Sequence, residues 1–245
     1  MEMYHEIHGQ GEPLVLMHGF FATGQMWEPF IEEFSQHFLL IIPDLRGHGR
    51  SSNPNPAEIY STRQAAQDVF SMLDHLEITH FKAIGVSLGA LILLHMSTQH
   101  PERVDAQVVI GGANYFPDKC REKLRKMTVE SYSESAWKYY RKLHKSGDDQ
   151  IRLLISQFQN FADSYEDVNF TPPLLSTIRA KTLIIHGDRN WAYPVSIAAQ
   201  MYQSIPKSYL WIVLNGGHVP IFGKRALVFS QTALEFLGGS WEKEK

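Results

Sequence analysis

The sequence predicts an α/β protein in which a mostly parallel central sheet is flanked by helices and interrupted by an inserted helical cap. Three observations predict this class. Short apolar runs of strand length alternate with longer segments of helical periodicity. A Gly-Val-Ser-Leu-Gly turn joins one such run to a segment that is apolar nearly all round, as a buried helix is. The stretch 117–173 contains no convincing strand pattern.

The apolar runs are expected to form the strands, and the periodic segments the helices, of an alternating chain. The expected strands are Tyr4 to Ile7, Leu14 to Met17, Phe38 to Ile42, Phe81 to Val86, Val108 to Ile110, Leu183 to Ile185 and Leu210 to Leu214. The expected helices are Gly24 to Gln36, Ser61 to Leu76, Leu88 to Met96, Pro194 to Ser204 and Lys224 to Leu237, the last with Ala226, Leu227, Phe229, Ala233, Leu234 and Leu237 inward. Such alternation favours a parallel sheet with both faces covered.

The stretch 117–173 is expected to be a helical cap inserted between two parts of one core, 1–116 and 174–245. Its helical segments are Arg121 to Met127, Glu134 to Leu143 and Gln150 to Phe161. Its aromatic residues are expected mainly to pack the cap onto the core, with one or two lining a pocket. Its basic residues, Lys119, Arg121, Lys123, Arg125 and Lys126, are expected to form a solvated helix face.

The composition is that of an ordinary globular protein. Hydrophobic residues make up 44% and charged residues 20% of 245 residues, and the net charge is -3. This charge gives no long-range attraction for nucleic acid or an anionic membrane. The first residues lack a signal-peptide pattern and no apolar run approaches a membrane span, which predicts a cytoplasmic protein. The single cysteine, Cys120, excludes an internal disulfide.

Ser87 lies on the predicted strand-to-helix turn, between Gly85 and Gly89. A tight turn presents the hydroxyl to solvent, and the flanking glycines leave room where a Cβ would clash. The following helix directs its N-terminal N–H groups at the site, where they stabilise negative charge. These properties favour a nucleophile, although the bare pattern also occurs by chance. The glycine-rich stretch 44–51 lacks the lysine of a Walker motif and is predicted to be a structural turn.

Two further loops at strand ends can supply the groups that a serine nucleophile needs. His218 follows the last predicted strand between glycines and is a candidate general base. The N–H of Phe20 and that of Leu88 would place two donors at one point, which an oxyanion requires. Residues 186–194 lie between serine and histidine in chain order, where an acid is expected to orient the imidazole.

With these motifs in register, the chain resembles the α/β-hydrolase family over nearly its whole length. The shared motifs are His-Gly-Phe after a strand, the 44–51 turn, Gly-Val-Ser-Leu-Gly, Gly-Asp-Arg-Asn with Pro194, and Gly-Gly-His-Val-Pro. The resemblance implies an eight-stranded, mostly parallel sheet, of which the first strand is short or absent here, leaving about seven. It also implies Ser87 as nucleophile, His218 as base, Phe20 and Leu88 as oxyanion donors, and no cofactor or metal.

The sequence departs from the family at the acid position. Counting back from Pro194, the family pattern puts the catalytic aspartate at position 190, where this chain has Asn190. An amide carries no charge to stabilise an imidazolium and can hold His218 in the wrong tautomer; in serine proteases such an exchange lowers kcat by about 10⁴. Three interpretations stay open: Asp188 is the acid, the chain is a natural low-activity or binding member, or Asn190 is an introduced change.

The resemblance implies acyl transfer through a covalent serine intermediate. The expected partner is a small-molecule substrate, a small and largely apolar carboxylic ester, because aromatic residues surround the predicted mouth. The expected pocket residues are Phe21, Trp27, Trp137, Trp191 and Tyr193. Two alternatives stay open: a ligand-binding or signalling protein with slow turnover on the same scaffold, which Asn190 favours, and an acyltransferase. No residue pattern predicts an oligomeric state.

Overall fold

The computed structural model describes residues 1–243, in which seven strands form one sheet. The strands are β1 (His5–His8), β2 (Pro13–Met17), β3 (Leu39–Pro43), β4 (Phe81–Val86), β5 (Val104–Ile110), β6 (Lys181–Gly187) and β7 (Ser208–Val213). Their order across the sheet is β1-β3-β2-β4-β5-β6-β7, and only β1 runs antiparallel to its neighbour. The predicted α/β class and mostly parallel sheet are confirmed.

Helices fill the connections between the strands. They are α1 (Glu28–Phe34), α2 (Thr62–His75), α3 (Leu88–Gln99), α4 (Asp118–Arg125), α5 (Glu134–Leu143), α6 (Asp148–Asn160), α7 (Pro172–Leu175), α8 (Val195–Ser204) and α9 (Ala226–Leu237), with 3-10 turns at Gly24–Trp27, Val129–Ser131, Phe161–Asp163, Gly223–Arg225 and Ser240–Lys243. Within residues 1–243, no helix has both the length and the apolar character needed to cross a membrane.

The sheet separates two hydrophobic cores, because successive strand residues point to opposite faces. On one face Leu14 and Leu16 of β2 pack with residues of α1 and α9. On the other face Val15 and Met17 pack with residues of α2, α3 and α8. Helix α3 is buried along most of its length, which explains its lack of a polar face. The two cores together hold the carboxyl ends of β2, β4, β5, β6 and β7 at one edge.

One inward assignment in the last helix is wrong. Leu227 was predicted to face the core, but its side chain is 64% exposed. The cause is the start of the helix: α9 begins at Ala226 after the 3-10 turn Gly223–Arg225, so Leu227 lies in the first turn. The periodicity of the helix then directs Phe229, Ala233 and Leu237 inward, as predicted.

No strand of the sheet lies between Asp118 and Leu175 in the part of the chain that the structure describes, and α4 to α7 occupy this interval. An isolated bridge joins Tyr115 to Asn169 at the base of the segment. The boundaries 1–116, 117–173 and 174–245 stay a prediction. We call residues 117–173 the cap segment below.

Arg121 does not belong to a solvated basic face, contrary to the prediction. The side chain is only 4% exposed. Its Nε donates to the carbonyl of Phe116 at 3.0 Å, and its Nη1 donates to the carbonyls of Ala162 at 2.8 Å and Ser164 at 2.9 Å. The guanidinium thus satisfies carbonyls around the 3-10 turn Phe161–Asp163, where a positive charge is favourable. The neighbouring Lys123 and Arg125 are exposed, as predicted.

The cap segment is also bonded to the 44–51 turn of the core. The Gly49 N–H donates to Nδ1 of His144 at 3.0 Å, and the Lys145 N–H donates to the Gly49 carbonyl at 3.1 Å. Nε2 of Gln150 donates to the Gly47 carbonyl at 2.9 Å. The turn itself is held by Asp44, whose carboxylate accepts from two backbone N–H groups. The stretch 44–51 therefore has a structural task in addition to closing β3.

Asp167 connects the cap segment to the start of α2. Its carboxylate accepts from Oγ of Ser61 at 2.6 Å, from the Thr62 N–H at 2.7 Å, from Oγ1 of Thr62 at 2.7 Å and from the Arg63 N–H at 3.2 Å. It therefore satisfies N-terminal donors of α2 and adds a negative charge at the positive end of the helix.

Asp167→Ala is expected to lower the free energy of unfolding by about 2 kcal/mol, because several donors lose their acceptor at once. Urea denaturation followed by circular dichroism measures this loss. Asp163→Ala is the control, since the Asp163 side chain is 73% exposed and its ion pair among residues 1–243 is with Arg125, and exposed pairs contribute about 0–1 kcal/mol. Equal losses for both variants would contradict the assigned role of Asp167.

Candidate active site

Ser87 lies on the turn between β4 and α3 in a conformation that few residues adopt. Its backbone angles are φ 51 and ψ -107, outside the regions that are favourable for a side chain with a Cβ. A Cβ at Gly85 would lie 2.4 Å from the Gly89 carbonyl oxygen, and a Cβ at Gly89 would lie 2.5 Å from the Met17 carbonyl oxygen. The two glycines therefore permit the turn that exposes the hydroxyl.

His218 reaches Ser87 from the loop that follows β7. Its Nε2 lies 2.8 Å from Oγ of Ser87, within hydrogen-bond distance. The loop passes closely over the end of β5, where a Cβ at Gly111 would lie 2.4 Å from the His218 carbonyl oxygen. The imidazole contacts the rings of Trp191 and Tyr193, each with a centroid distance of 5.6 Å. The structure thus brings the predicted nucleophile and base together.

Asn190 occupies the position of the acid partner. Its Oδ1 lies 3.0 Å from Nδ1 of His218. Asp188, the alternative acid, is directed elsewhere: its Oδ1 accepts from the Gly216 N–H at 3.1 Å, and its Oδ2 lies 3.8 Å from Nε of Arg189. Asp188 makes no hydrogen bond to His218 among the described residues. The structure therefore does not support Asp188 as the acid.

Phe20 and Leu88, the predicted oxyanion donors, line the same pocket as Ser87. A Cβ at Gly19 would lie 3.5 Å from Cβ of Ser87, so the loop after β2 is in contact with the serine turn. Leu88 begins α3, and the first N–H groups of a helix have no acceptor within the helix. The Gly89 N–H donates to the His18 carbonyl at 3.1 Å and ties the two loops together. Their use as oxyanion donors stays a proposal.

A small apolar pocket opens beside Ser87 and His218. It encloses about 350 Å³ of space between atoms, part of it open to solvent. The other residues that line it are Phe20, Leu88, Leu91, Phe116, Cys120, Leu124, Phe158, Phe161, Trp191, Ala192 and Tyr193. None of these side chains is a carboxylate, lysine or arginine. Such a pocket suits the apolar part of a small ligand.

Two of the five expected pocket residues line this pocket, namely Trp191 and Tyr193. Trp27 was predicted wrongly: it is completely buried in the core between the sheet, α1 and α9. Trp137 packs against Ile151 and Ile155 inside the cap segment, so it does not face the pocket. Phe21 is adjacent, and its ring packs on Tyr132, Tyr140 and Phe158.

Cys120 and Leu124 of the cap segment also line the pocket and are not among the expected pocket residues. Both lie on α4, four residues apart, and this spacing puts them on one face of a helix. This spacing indicates a short apolar face on α4, although charged residues surround both positions in the sequence. Phe116, Phe158 and Phe161 also line the pocket, and only the fold shows which of the aromatic residues do so.

Burial determines the charge states within the site. Burial, reinforced by the nearby His186, lowers the pKa of His218 to about 4. Burial raises the pKa of the Cys120 thiol to about 11, and it raises that of the Tyr193 hydroxyl. At neutral pH the site therefore contains a neutral imidazole that can accept a proton from Ser87. Residues 1–243 contain no cluster of three or more His, Cys, Asp or Glu side chains suited to a metal ion.

The chain is similar to known proteins in its sequence and in its fold. Residues 12–130 match the family model described as alpha/beta hydrolase fold. The pimeloyl-[acyl-carrier protein] methyl ester esterase of Vibrio cholerae is 31% identical over 47% of this chain and 43% of its own length. The provisionally named carbamate hydrolase RutD of Serratia proteamaculans is 26% identical over 88% of this chain and 89% of its own.

The chain spans less than half of the length of some curated relatives, 43% of the Vibrio cholerae esterase and 13% of another.

Among solved structures, MGS-M2 is similar to this chain with a TM-score of 0.81. It is an alpha/beta hydrolase enzyme from a Medee basin deep-sea metagenome library. Its sequence is 19% identical, and the match covers 96% of this chain and 94% of that one. At this identity the likeness concerns the fold.

Proposed function

Because this chain belongs to the α/β-hydrolase superfamily, we propose that it is a serine hydrolase that cleaves small, largely apolar carboxylic esters. The observation that carries the proposal is the 2.8 Å hydrogen bond between Oγ of Ser87 and Nε2 of His218 at the mouth of an apolar pocket. A serine and a base within this distance, with the base oriented by a third group, form the arrangement of an activated nucleophile. The third group here is Asn190.

The proposed reaction has two halves. In the first, His218 takes the proton of Ser87, the serine oxygen bonds to the carbonyl carbon, and the N–H groups of Phe20 and Leu88 stabilise the oxyanion. The bond to the leaving alcohol then breaks, and the alcohol receives the proton from His218. In the second half, water gives its proton to His218 and its oxygen to the acyl group, which leaves as a carboxylic acid while Ser87 regains its proton.

The lining of the pocket supports a short, uncharged acyl group. It contains no ionised side chain to neutralise a substrate carboxylate, and burying an unpaired charge is costly. The rings of Phe20, Phe158 and Phe161 pack on one another, so they limit the length of the pocket. The name of the Vibrio cholerae relative describes a methyl ester esterase, which supports an ester as the substrate class.

Hydrolysis of p-nitrophenyl esters of increasing length tests the proposal. We expect kcat/KM to be highest for acetate or butyrate and to fall at least about tenfold for octanoate, because the longer chain has to displace the aromatic rings of the pocket, and such overpacking costs about 1–3 kcal/mol. A charged succinyl ester of similar length is the matched control and should be poorer than butyrate. A preference for octanoate or succinate would contradict the proposed substrate class.

A ligand-binding protein with slow turnover is the second candidate, and Asn190 is the observation that favours it. A fluorophosphonate probe distinguishes the two, since it labels an activated serine. Labelling of Ser87 much faster than in the denatured chain supports the hydrolase. Labelling at the denatured rate, together with binding of butyrate esters without hydrolysis, supports the binding protein.

A further inference from the structure

The amide of Asn190 is held in one orientation by the backbone that follows it. Its Oδ1 accepts from the Ala192 N–H at 2.9 Å and from the Tyr193 N–H at 3.2 Å, besides its contact with His218. Its Nδ2 is buried and has no hydrogen-bond partner among the described residues. An amide oxygen accepts hydrogen bonds whereas an amide NH₂ only donates them. Both backbone donors therefore need the oxygen of this side chain, and Nδ1 of His218 faces that same oxygen.

Turning the amide over would place its NH₂ group against two backbone N–H groups. Two hydrogen bonds would be lost, and donors would face donors, so the observed orientation is preferred by at least about tenfold. The tyrosine at the end of this turn is itself fixed, because Nε2 of His186 lies 3.1 Å from its carbonyl oxygen. The orientation is thus imposed by the loop and does not depend on His218.

We propose that Asn190 is a positioning residue that keeps His218 in the productive tautomer, with the proton on Nδ1 and the lone pair on Nε2 facing Ser87. This inference rests on the proposed serine hydrolase. It differs from the interpretation that an amide at this position can hold His218 in the wrong tautomer. In the serine proteases the exchanged amide can donate to the imidazole; here the N–H groups of Ala192 and Tyr193 prevent that orientation.

The Asn190 side chain carries no negative charge to stabilise the His218 imidazolium. The groups that face the imidazole are the Trp191 and Tyr193 rings, the Ser87 hydroxyl and, farther away, His186. The carboxylate of Asp188 is turned to the Gly216 N–H and Arg189. No carboxylate in the described part of the chain therefore stabilises the imidazolium, in agreement with the lowered pKa of His218. Since the neutral imidazole is the base, it stays available down to a pH near that pKa.

Nitrogen-15 NMR of the imidazole tests the tautomer without reference to activity. At pH 7 we expect the His218 pattern of a neutral ring protonated on Nδ1, both in the native chain and in Asn190→Asp. Asn190→Leu, which has no acceptor, should lose this preference. A native His218 protonated on Nε2 would overturn the proposal.

Rates supply the second readout. Asn190→Asp places a negative charge beside an imidazole that already has the productive tautomer. We therefore expect kcat/KM for p-nitrophenyl butyrate at pH 8 to rise about 10- to 100-fold. A gain near 10⁴-fold would indicate that the native tautomer is wrong and would overturn the proposal.

The acidic limb of the pH profile of kcat/KM should lie at least about one pH unit lower in the native chain than in Asn190→Asp, because a carboxylate raises the pKa of the imidazole. Acidic limbs that coincide in the native chain and in Asn190→Asp would also contradict the proposal.

Asn55→Asp is the control, since it adds the same charge at an exposed position of the 52–60 loop and should leave both rate and profile unchanged. Circular dichroism defines the pH range in which each variant stays folded. If neither the native chain nor Asn190→Asp hydrolyses the ester, the proposed function fails, while the NMR pattern still decides the role of Asn190.

Discussion

Ser87→Ala is expected to lower kcat for p-nitrophenyl butyrate by at least about 10⁴-fold, because the proposed reaction passes through a bond to the serine oxygen. Binding should change little, since the exchange removes one small polar atom from the pocket mouth. A product formed without this residue would have to come from direct attack by water. Steady-state kinetics of the purified variant, with active-site titration of the native protein, measure the ratio.

The fold of Ser87→Ala should be preserved. The Ser87 side chain makes no capping hydrogen bond to α3, and its polar partner is His218. Alanine tolerates the backbone conformation of the turn about as well as serine does, so the melting temperature should stay within about 2 °C. Ser71→Ala, on the exposed face of α2, is the matched control and should retain native activity. Full esterase activity in Ser87→Ala would remove Ser87 from the mechanism.

Arg121→Met is expected to lower the free energy of unfolding by about 3 kcal/mol. Methionine fills part of the space but leaves the carbonyls of Phe116, Ala162 and Ser164 without the donor they have now. The stacking of the guanidinium on the Tyr165 ring, at 3.9 Å, is lost as well. Because Phe116 and Phe161 line the pocket, KM for the butyrate ester should rise too.

Urea denaturation of three variants isolates the contribution of the guanidinium. Arg121→Lys keeps the charge, but an ammonium cannot reach several carbonyls in the same plane, so it should lie between the native protein and Arg121→Met. Lys119→Met removes an exposed charge from the same helix and should cost less than about 0.5 kcal/mol. A loss for Arg121→Met no larger than that for Lys119→Met would show that the buried contacts contribute nothing to stability.

The elements of the core could be predicted because their residues follow the two periods of secondary structure. The strand Phe81–Val86 has the predicted limits, and α5 coincides with the predicted Glu134 to Leu143. The strands β5 and β6 are longer than predicted, since charged residues at Asp105 and Lys181 interrupt the apolar pattern at their ends. Local periodicity therefore predicts that an element is present more reliably than it predicts the first and last residues of that element.

The failures concern residues whose environment is set by distant parts of the chain. Arg121 reads as a surface residue until the turn at Phe161–Asp163 provides carbonyls for its guanidinium. Trp27 reads as a pocket aromatic because it follows Phe20 and Phe21 closely in the chain, yet its side chain packs in the core with residues of α1 and α9. The orientation of the Asn190 amide depends on two backbone N–H groups that no sequence pattern encodes.

We expect the hydrogen bonds between the cap segment and the core to influence how the proposed ester substrate reaches Ser87. Rotation of the whole segment would break the bonds at Gly49, at Asp167 and between Nζ of Lys123 and the Trp191 carbonyl, at about 1 kcal/mol each. Trp191 borders the pocket and is 39% exposed, so a change of its rotamer is the less costly entrance. Such a change takes nanoseconds, whereas the opening of a lid takes microseconds to milliseconds. We therefore expect turnover to be limited by bond-making at Ser87 and not by the release of product.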